Sequence, residues 1–382
     1  MITRRTFMNQ SVLATCALAL PRVLAAAESN TNIDGANSLQ AHAHKRGLLA
    51  GCAVGAANLK DDAFTSVLAA QFGLVVAENA MKFGPIKPKP DTYFFDDADA
   101  LVNFAHQHNI KVRGHNFVWH EQLPTWFKDV ATKDNARKIL TDHIMTVGGR
   151  YKGKMQSWDV VNEAIQVSDG RPDGLRKSPW LELIGPDYLE IAFHTAHQAD
   201  PKARLTYNEY GIENDGTDDV AKCAATLDLL KRLKAANVPL HALGIQSHIN
   251  VGESWGKGLR ELIDGAKALG LEVYLTELDV NDKTVKETDV AAPADLADID
   301  RIVAGVYTSY LSVALESKAV KSVLTWGLTD AHTWLAGFMR PHTTDDKQPP
   351  RPPQRPLPFD PDLKPAPAFF AMRDVFDKAP HR

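Results

Sequence analysis

The chain has 382 residues, of which 44% are hydrophobic and 24% are charged, and its formal net charge is −4. This is the composition of an ordinary globular protein with one large domain or two small ones. A nearly balanced charge gives no electrostatic footprint for nucleic acid or for an anionic membrane, which excludes both as partners and favours a neutral substrate.

Residues 1–27 resemble a twin-arginine signal peptide. Arg4 and Arg5 precede a weakly apolar run at 12–20, and small residues follow at 25–27. The run is shorter than the roughly 20 residues that span a bilayer, which disfavours the alternative of an uncleaved membrane anchor. The resemblance implies the twin-arginine export machinery as a partner. It also implies a mature protein that is periplasmic or secreted and free of the membrane.

Strands and helices alternate along the rest of the chain. Residues 28–46 are expected to lead into a single catalytic domain at 47–378. Apolar runs predict eight strands, at 47–54, 74–78, 111–115, 157–161, 204–207, 242–245, 273–275 and 321–325. Helical patterns are predicted at 61–72, 97–108, 135–151, 188–199, 218–236, 258–269, within 293–315, and at 367–377. Such alternation implies parallel pairing, and eight repeats predict an α/β fold, the (β/α)₈ TIM barrel.

A doubly wound open sheet is the competing architecture. It would place a glycine-rich phosphate-binding turn directly after the first strand. The segment from Gly51 to Gly55 offers no such turn. The closed barrel is therefore favoured.

Two cysteines and one loop stand outside this pattern. Cys52 and Cys223 have no spacing typical of a metal site, and we expect both to be buried free thiols.

The proline-rich stretch at 341–358 separates the last strand from the last helix. It is interpreted as a long loop at the active face, with a surface loop of no function as the alternative.

The C-terminal ends of the strands meet at one face of such a barrel, where its sites lie. That face collects acids, amides, imidazoles and indoles, and it has no cluster of arginines. These groups suit a polyhydroxylated ring, because sugars have hydroxyl edges and apolar C–H faces. The residues at this face are Glu78, Asn79, Lys82, His115, Trp119, Asn162, Glu163, Asn208, Gln246, His248, Glu277, Asp279, Trp326 and Trp334.

Glu163 and Glu277 are candidates for carboxylate catalysis, because each follows an apolar run at a strand end. A lone glutamate at a strand end forms a structural ion pair about as often as it takes part in catalysis, but two such glutamates favour catalysis. Retaining cleavage of a glycosidic bond requires an acid and a carboxylate about 5–5.5 Å apart, with pKa values pushed apart. Hydrogen bonds from Asn162 and His248 favour a charged carboxylate. The charge of Glu277 is expected to keep a proton on Glu163.

Six short motifs lie at these strand ends. They are Glu78-Asn79-Ala80-Met81-Lys82, Gly114-His115-Asn116-Phe117-Val118-Trp119-His120, Trp158-Asp159-Val160-Val161-Asn162-Glu163-Ala164, Gln246-Ser247-His248, Thr276-Glu277-Leu278-Asp279 and Trp326-Gly327. They resemble the motifs of family 10 glycoside hydrolases, the xylanase family of retaining (β/α)₈ enzymes, over residues 47–376. The resemblance implies an endo-1,4-β-xylanase that acts on xylan and xylo-oligosaccharides, without cofactor or metal. We expect it to be a monomer.

The same resemblance assigns roles to single residues. It implies that Glu163 is the general acid/base and that Glu277 is the nucleophile. It also implies that His248 and Asp279 orient Glu277, and that Asn162 binds the sugar 2-hydroxyl. The residues that would line the glycone subsites are Glu78, Asn79, Lys82, His115, Trp119, Gln246, Trp326 and Trp334. Glu209 and Tyr210 are expected only to support the rim.

Three rival functions remain open. A metal-dependent hydrolase would use histidines, but the pair His42 and His44 precedes the first strand instead of following it. A non-catalytic sugar-binding barrel is expected to have lost Glu163 or Glu277, and both are present. An exo-acting xylosidase or a cellulase on a similar barrel is the remaining alternative.

We predict that replacing both Arg4 and Arg5 by lysine retains the folded protein in the cytoplasm, because the paired arginines identify the export route. Cell fractionation with an antibody to the mature chain measures this. Arg22→Lys, the same change elsewhere in the segment, should leave export as in the wild type. Mature protein outside the inner membrane in the double variant would refute the twin-arginine route.

Overall fold

The computed structural model describes residues 32–283, 296–338 and 353–382. The described residues between Asp34 and Arg382 form one compact unit. The predicted signal peptide at 1–27 lies outside the described residues. So do residues 341–352 of the proline-rich loop and the first residues of the helix predicted within 293–315.

Nine strands and twelve α-helices lie in the described part of the chain. They include the eight predicted strands and the eight predicted helices, together with one short strand and four short helices that were not predicted. The strands are β1 (Leu49–Val54), β2 (Leu74–Ala77), β3 (Lys111–Val118), β4 (Ser157–Asn162), β5 (Arg204–Glu209), β6 (Ala242–Ile245), β7 (His248–Asn250), β8 (Glu272–Asn281) and β9 (Val320–Thr325). The helices are α1 (Leu39–His44), α2 (Asp62–Gln71), α3 (Phe83–Ile86), α4 (Asp96–Gln107), α5 (Phe127–Val130), α6 (Ala136–Arg150), α7 (Pro179–Ile184), α8 (Tyr188–Ala199), α9 (Thr217–Ala235), α10 (Lys257–Ala268), α11 (Leu296–Ala314) and α12 (Pro367–Lys378).

Eight of the strands close into a parallel barrel. Strands β1 to β6 pair in chain order, β8 pairs with β6 and β9, and β9 pairs with β1. The predicted (β/α)₈ barrel is confirmed. An open doubly wound sheet is excluded, because it would leave two edge strands unpaired, whereas closure pairs every barrel strand on both sides.

The short strand β7 was not predicted. It follows β6 after two residues and pairs in parallel with the C-terminal part of β8, with His248 opposite Asp279. Ser247 separates β6 from β7 with a left-handed backbone, at φ 67°. The run from β6 to β7 is thus one barrel strand interrupted at Ser247. This break places His248 beside the end of β8.

The strands are buried along their length, as parallel strands covered by helices must be. All residues of β2 and β4 are buried. The close approach of β3 to β4 depends on Gly114, because a Cβ there would lie 2.0 Å from the Trp158 ring. Trp158 stacks on Phe117 with a centroid distance of 4.1 Å.

A buried ion pair lies inside the barrel. Arg113 of β3 donates to the carboxylate of Asp159 on β4, with its Nε 3.2 Å from Oδ2, and both side chains are 1% exposed. The Arg113 guanidinium lies 5.4 Å from the ring centroid of Tyr274 on β8. Because β3 and β8 are not neighbours, this contact crosses the barrel interior. The pair therefore links strands on opposite walls.

The segment expected to lead into the barrel contains helix α1. The Nδ1 of His42 lies 2.7 Å from Oδ1 of Asp377 on α12, and the backbone N–H of Ala50 donates to Gln40. Arg382 at the chain end donates to the carbonyl groups of Val320 and Leu315. Both ends of the described unit thus pack on the last helices and strands of the barrel.

The part of the proline-rich loop that is described returns to the barrel wall. Arg355 pairs with Asp300 of α11, with its Nε 2.6 Å from Oδ1. The carbonyl group of Pro356 accepts hydrogen bonds from Val280 and from the Tyr307 hydroxyl. Residues 353–358 therefore follow the C-terminal end of β8. The predicted role of this loop at the active face stays a prediction for residues 341–352.

Both predicted free thiols are confirmed. Cys52 and Cys223 are buried and unpaired, and burial raises the pKa of the Cys223 thiol to about 12. No helix in residues 32–283, 296–338 or 353–382 combines the length and apolar character needed to cross a bilayer.

We predict that Arg113→Met lowers the free energy of unfolding by about 3–5 kcal/mol, because it removes the permanent cation that neutralises the buried Asp159 and leaves only the His115 imidazole beside that charge. Denaturant unfolding measures the loss. Arg150→Met is the matched control, since it breaks a pair with Asp99 in which the arginine is 43% exposed. That change should cost no more than about 1 kcal/mol. Equal losses in the two variants would contradict a structural role for the buried pair.

Candidate active site

The predicted site residues collect around the C-terminal ends of the barrel strands, but β3, β4, β5 and β8 run further than predicted. His115 lies within β3, and Glu277 and Asp279 lie within β8. The pairing register shifts between His115 and Val118 and between Leu275 and Leu278. Such irregularities re-aim side chains and are common next to active sites.

Glu163 follows the last residue of β4 with a left-handed backbone, at φ 59°. Its N–H donates to the carbonyl of Asn208 at 2.9 Å, and its own carbonyl accepts from the Arg176 guanidinium at 2.8 Å. A non-glycine residue pays a cost of order 1–3 kcal/mol for such a backbone. The two bonds hold this conformation.

The carboxyl group of Glu163 is 9% exposed and accepts three hydrogen bonds. Oε2 accepts from the indole of Trp119 at 2.8 Å. Oε1 accepts from the amides of Gln246 at 2.8 Å and Asn162 at 3.0 Å. All four residues are among those predicted to form the site, and they come from β4, β6 and the end of β3.

Glu277 is 4% exposed and lies between an amide and an imidazole. Asn208 donates to its Oε1 at 2.7 Å. The Nε2 of His248 lies 3.4 Å from its Oε2. On the other side of the imidazole, Nδ1 lies 2.8 Å from Oδ1 of Asp279. The predicted orienting pair, His248 and Asp279, is thus in direct line with Glu277.

Two asparagines connect the carboxyl groups. Asn208 donates to Glu277 and also to the Oδ1 of Asn162, at 2.9 Å. Asn162 in turn donates to Glu163. Gly244 makes room for this arrangement, because a Cβ there would lie 2.2 Å from the Oδ1 of Asn208. We call Asn162 and Asn208 the amide bridge.

The two carboxyl groups have opposite tendencies to hold a proton. Burial raises the pKa of Glu163, the charge of Glu209 raises it further, and bonds from Gln246 and Trp119 only partly oppose this. The charge of Glu277, expected from the sequence to be the cause, is the smallest contribution. The expected direction is therefore correct, but its main cause is burial.

Burial alone would also raise the pKa of Glu277, but four interactions lower it to about 2. In order of size they are the His248 hydrogen bond, the charges of His115 and His248, and the Asn208 hydrogen bond. Burial opposes the charge of His248 as well, yet Asp279 and Glu277 raise the pKa of its imidazole well above its usual value. A cation and a carboxylate therefore coexist at this end of the site.

The predicted glycone residues form a second group. The ammonium of Lys82 lies 5.0 Å from the ring centroid of Trp119 and 5.9 Å from that of Trp326. It donates to Asn79 at 3.0 Å, and Asn79 donates to Glu78 at 3.2 Å. Burial lowers the pKa of Lys82, opposed by the charges of nearby carboxylates that include Glu277 and Glu163. A cation with flanking indoles thus faces both acids.

His115, Trp326 and Trp334 complete the predicted set. The Nδ1 of His115 lies 2.9 Å from Asp159, and its ring centroid is 5.3 Å from that of Trp326. Trp334 lies in a 3₁₀ helix after β9, is 37% exposed, and donates from its indole to Asp279 at 2.6 Å. Trp334 is therefore tied to the residue that orients His248.

Two residues that matter to the geometry received no role from the sequence. Asn208 was placed at the strand ends only, and Glu209 was expected to support the rim. Instead, Asn208 bonds to Glu277, and Glu209 is fully buried. The pair Asn208-Glu209 repeats the Asn162-Glu163 pair at the end of the next strand, and this repetition was the available signal.

A metal centre has no geometric support here. Across the described residues no group of three or more His, Cys, Asp or Glu side chains is placed to hold an ion. His115 and His248 face Asp159 and Asp279, and His42 bonds to Asp377 on α12. These histidines act within hydrogen-bonded pairs.

Residues 38–375 match the profile described as "Glycosyl hydrolase family 10". The chain is 36% identical over 339 residues to "Endo-1,4-beta-xylanase A" of Thermoanaerobacterium saccharolyticum, covering 85% of this chain and 26% of that protein. It is 35% identical over 339 residues to "Exoglucanase XynX" of Acetivibrio thermocellus, covering 85% and 28%. The chain thus spans less than a third of the length of either relative.

A solved structure is similar over nearly its whole length. It is xylanase 10B from Thermotoga petrophila RKU-1 in complex with xylobiose, with a TM-score of 0.76 and 32% identity. The match covers 89% of this chain and 97% of that one. The sequence similarity therefore extends to the arrangement of the barrel.

We predict that His248→Asn raises the pKa of Glu277 from about 2 towards the usual carboxyl range, because a cation and a hydrogen bond are lost while burial remains. A ¹³C NMR titration of the Glu277 carboxyl carbon measures it. His106→Asn on α4 changes an exposed histidine and should leave the titration as in the wild type. A Glu277 pKa that stays low in the first variant would show that His248 does not stabilise the charge.

Proposed function

The chain belongs to glycosyl hydrolase family 10, and from that premise we propose that it is an endo-1,4-β-xylanase. It would hydrolyse internal β-1,4-xylosidic bonds of xylan and xylo-oligosaccharides with retention of the anomeric configuration. The observation that carries the proposal is a pair of buried carboxyl groups that are joined by the amide bridge and whose surroundings shift their pKa values in opposite directions. The name of the relative from Thermoanaerobacterium saccharolyticum, an endo-1,4-beta-xylanase, and the xylobiose bound in the similar solved structure support xylan as the substrate.

In the first step Glu277 acts as the nucleophile. Its carboxylate oxygen attacks the anomeric carbon, the bond from that carbon to the glycosidic oxygen breaks, and Glu163 transfers its proton to the departing oxygen. A nucleophile with a pKa of about 2 is charged at neutral pH, and an acid with a raised pKa retains a proton to give. A glycosyl ester of Glu277 results.

In the second step the roles of Glu163 change. The ionised Glu163 takes a proton from a water molecule, the water oxygen attacks the anomeric carbon, and the ester bond to Glu277 breaks. Two inversions at one carbon give net retention. Lys82, which interacts with both carboxylates, and the His248 cation beside Glu277 help to stabilise the charge that returns to Glu277.

The remaining predicted residues bind the sugar units in this proposal. The amides of Asn162 and Gln246 lie beside the acid and are placed for ring hydroxyl groups. Glu78, Asn79 and Lys82 offer hydrogen bonds on the glycone side, as does His115. The indole faces of Trp119, Trp326 and Trp334 suit the apolar C–H faces of the rings.

An exo-acting enzyme or a cellulase on the same barrel is the second candidate. The observation that favours it is the name of the second relative, an exoglucanase. Glucose units differ from xylose units by a hydroxymethyl group at C5. Trp334, bonded to Asp279, would stand where that group projects. The second candidate therefore requires a site in which the hydroxymethyl group fits beside Trp334.

We also propose export through the twin-arginine route, with the mature enzyme in the periplasm or outside the cell, and a monomeric state. The paired arginines ahead of a weakly apolar run support the export. Light scattering on a size-exclusion column tests the monomer. A mass twice that of the mature chain would exclude it.

The function is tested by product chromatography on linear xylan and on cellulose. We expect a mixture of short xylo-oligosaccharides from the start of the reaction, because internal bonds are cut, and little release from cellulose. NMR of the first products should show the retained anomer. Release of a single product from one chain end, or faster release from cellulose, would favour the second candidate.

The two carboxyl roles are tested by substitution. Glu277→Ala should abolish turnover of every glycoside. Glu163→Ala should lower turnover of xylo-oligosaccharides about 10²–10⁴-fold, yet largely spare the glycosylation step with a dinitrophenyl xylobioside, whose leaving group needs no proton. Glu316→Ala, an exposed glutamate paired with Arg260, should remain fully active. Equal losses of the glycosylation rate on both substrates in Glu163→Ala would show that Glu163 is not the acid.

A further inference from the structure

Glu209 lies at the end of β5 with no exposed surface, so its side chain is out of reach of a bound sugar. Its Oε2 accepts from the N–H of Ile165 at 3.1 Å and from the Tyr207 hydroxyl. Its Oε1 accepts from the N–H of Tyr210 at 3.2 Å. A buried carboxylate needs such partners, because each unpaired oxygen would cost free energy.

Two of these bonds reach the turn that carries Glu163. Ile165 is two residues beyond Glu163, and its N–H is held directly by Glu209. The Tyr207 hydroxyl that donates to Glu209 also accepts from the N–H of Ala164, at 3.2 Å. Both N–H groups after Glu163 therefore depend on Glu209, one directly and one through Tyr207. This turn has the left-handed backbone at Glu163 itself.

Lys222 of α9 neutralises Glu209 from the far side. Its Nζ lies 2.9 Å from Oε1, the oxygen that does not face Ile165. The same ammonium lies 3.4 Å from the ring centroid of Tyr210, and Lys222 is only 9% exposed. The pair thus presents its negative end to the Glu163 turn and its positive end to helix α9.

We infer that Glu209 and Lys222 form a positioning element for the acid/base Glu163. Glu209 holds the backbone of the turn and presents a negative charge to the carboxyl group, and Lys222 limits how much of that charge is felt. This inference rests on the proposed function, since it concerns the proton that Glu163 gives. It adds to the reaction two residues that touch no substrate.

Other charged groups surround Glu163, and none replaces Glu209. Glu277 on β8 adds a smaller effect of the same sign. The Nδ1 of His120 lies 4.0 Å from the Glu163 carboxyl, but burial lowers the pKa of its imidazole to about 4, so it is neutral at neutral pH. The cations Lys82 and Arg176 also interact with the Glu163 carboxylate. Near Glu209 itself the titratable groups are Tyr188, Tyr207, Arg176 and Lys222.

The test compares the wild type with variants by the basic limb of the pH profile of kcat/KM on xylotetraose. This limb reports the Glu163 pKa in the free enzyme. Glu209→Gln keeps the shape of the side chain but removes the charge, so the limb should move to lower pH by about one unit, the scale for a nearby like charge. Glu209→Gln combined with Lys222→Met removes both charges. Its limb should lie between those of the single variant and the wild type, because the lost cation is further from Glu163.

Lys231→Met is the matched control, since Lys231 is an exposed lysine of α9 paired with Asp228, and its limb should coincide with that of the wild type. The double variant leaves no unpaired buried charge, so it gives the measurement even where the single variant does not fold. A ¹³C NMR titration of the Glu163 carboxyl reads the same shift without substrate.

The outcomes separate the inference from the function. The positioning element is supported if the basic limb and the Glu163 pKa both move to lower pH, furthest in Glu209→Gln and less far in the double variant. Reduced kcat with both values at the wild-type position would overturn it and leave Glu209 a merely structural residue. A wild type inactive on every xylo-oligosaccharide refutes the proposed function, and the NMR titration then still decides the inference.

Discussion

The site depends on one constraint: two carboxyl groups must differ in protonation although both are buried. Burial penalises the charge of either group alike, so their surroundings have to differ. Glu277 has the His248 cation and an Asn208 N–H beside it, and its pKa falls to about 2. Glu163 has only neutral donors on its oxygens and the charge of Glu209 behind it, and its pKa rises. The amide bridge joins the two groups without supplying a charge to either.

The barrel below the site makes this difference rigid. Arg113 and Asp159 fill the interior with a paired charge, and the same Oδ2 of Asp159 that accepts from the Arg113 Nε also lies 2.9 Å from Nδ1 of His115. The charge of His115 is one of the causes that lower the pKa of Glu277. A buried ion pair adds little net stability over an apolar pair. Its value here is that the imidazole at the base of the site has one orientation.

Much of the fold and the positions of the two acids followed from the sequence, because they depend on local signals. Apolar runs that end in polar residues gave the strands, and the acid at each tip gave Glu163 and Glu277. The interrupted strand at β7 and the extension of β8 past Glu277 were missed, because pairing partners decide them and no periodicity does. The importance of Glu209 was also missed, since burial behind a turn is set by tertiary packing.

Each carboxyl group is held by a strand next to its own in the barrel or by an extension of such a strand. β5 supports Glu163, through the Asn208 carbonyl on its N–H and through Tyr207 and Glu209 on the next two N–H groups. β7 supports Glu277, because its pairing with β8 sets His248 against Asp279. The acid therefore receives a negative neighbour and the nucleophile a positive one, each delivered by backbone pairing. Parallel pairing next to each acid is thus what converts a common barrel into a site with two unlike carboxyl groups.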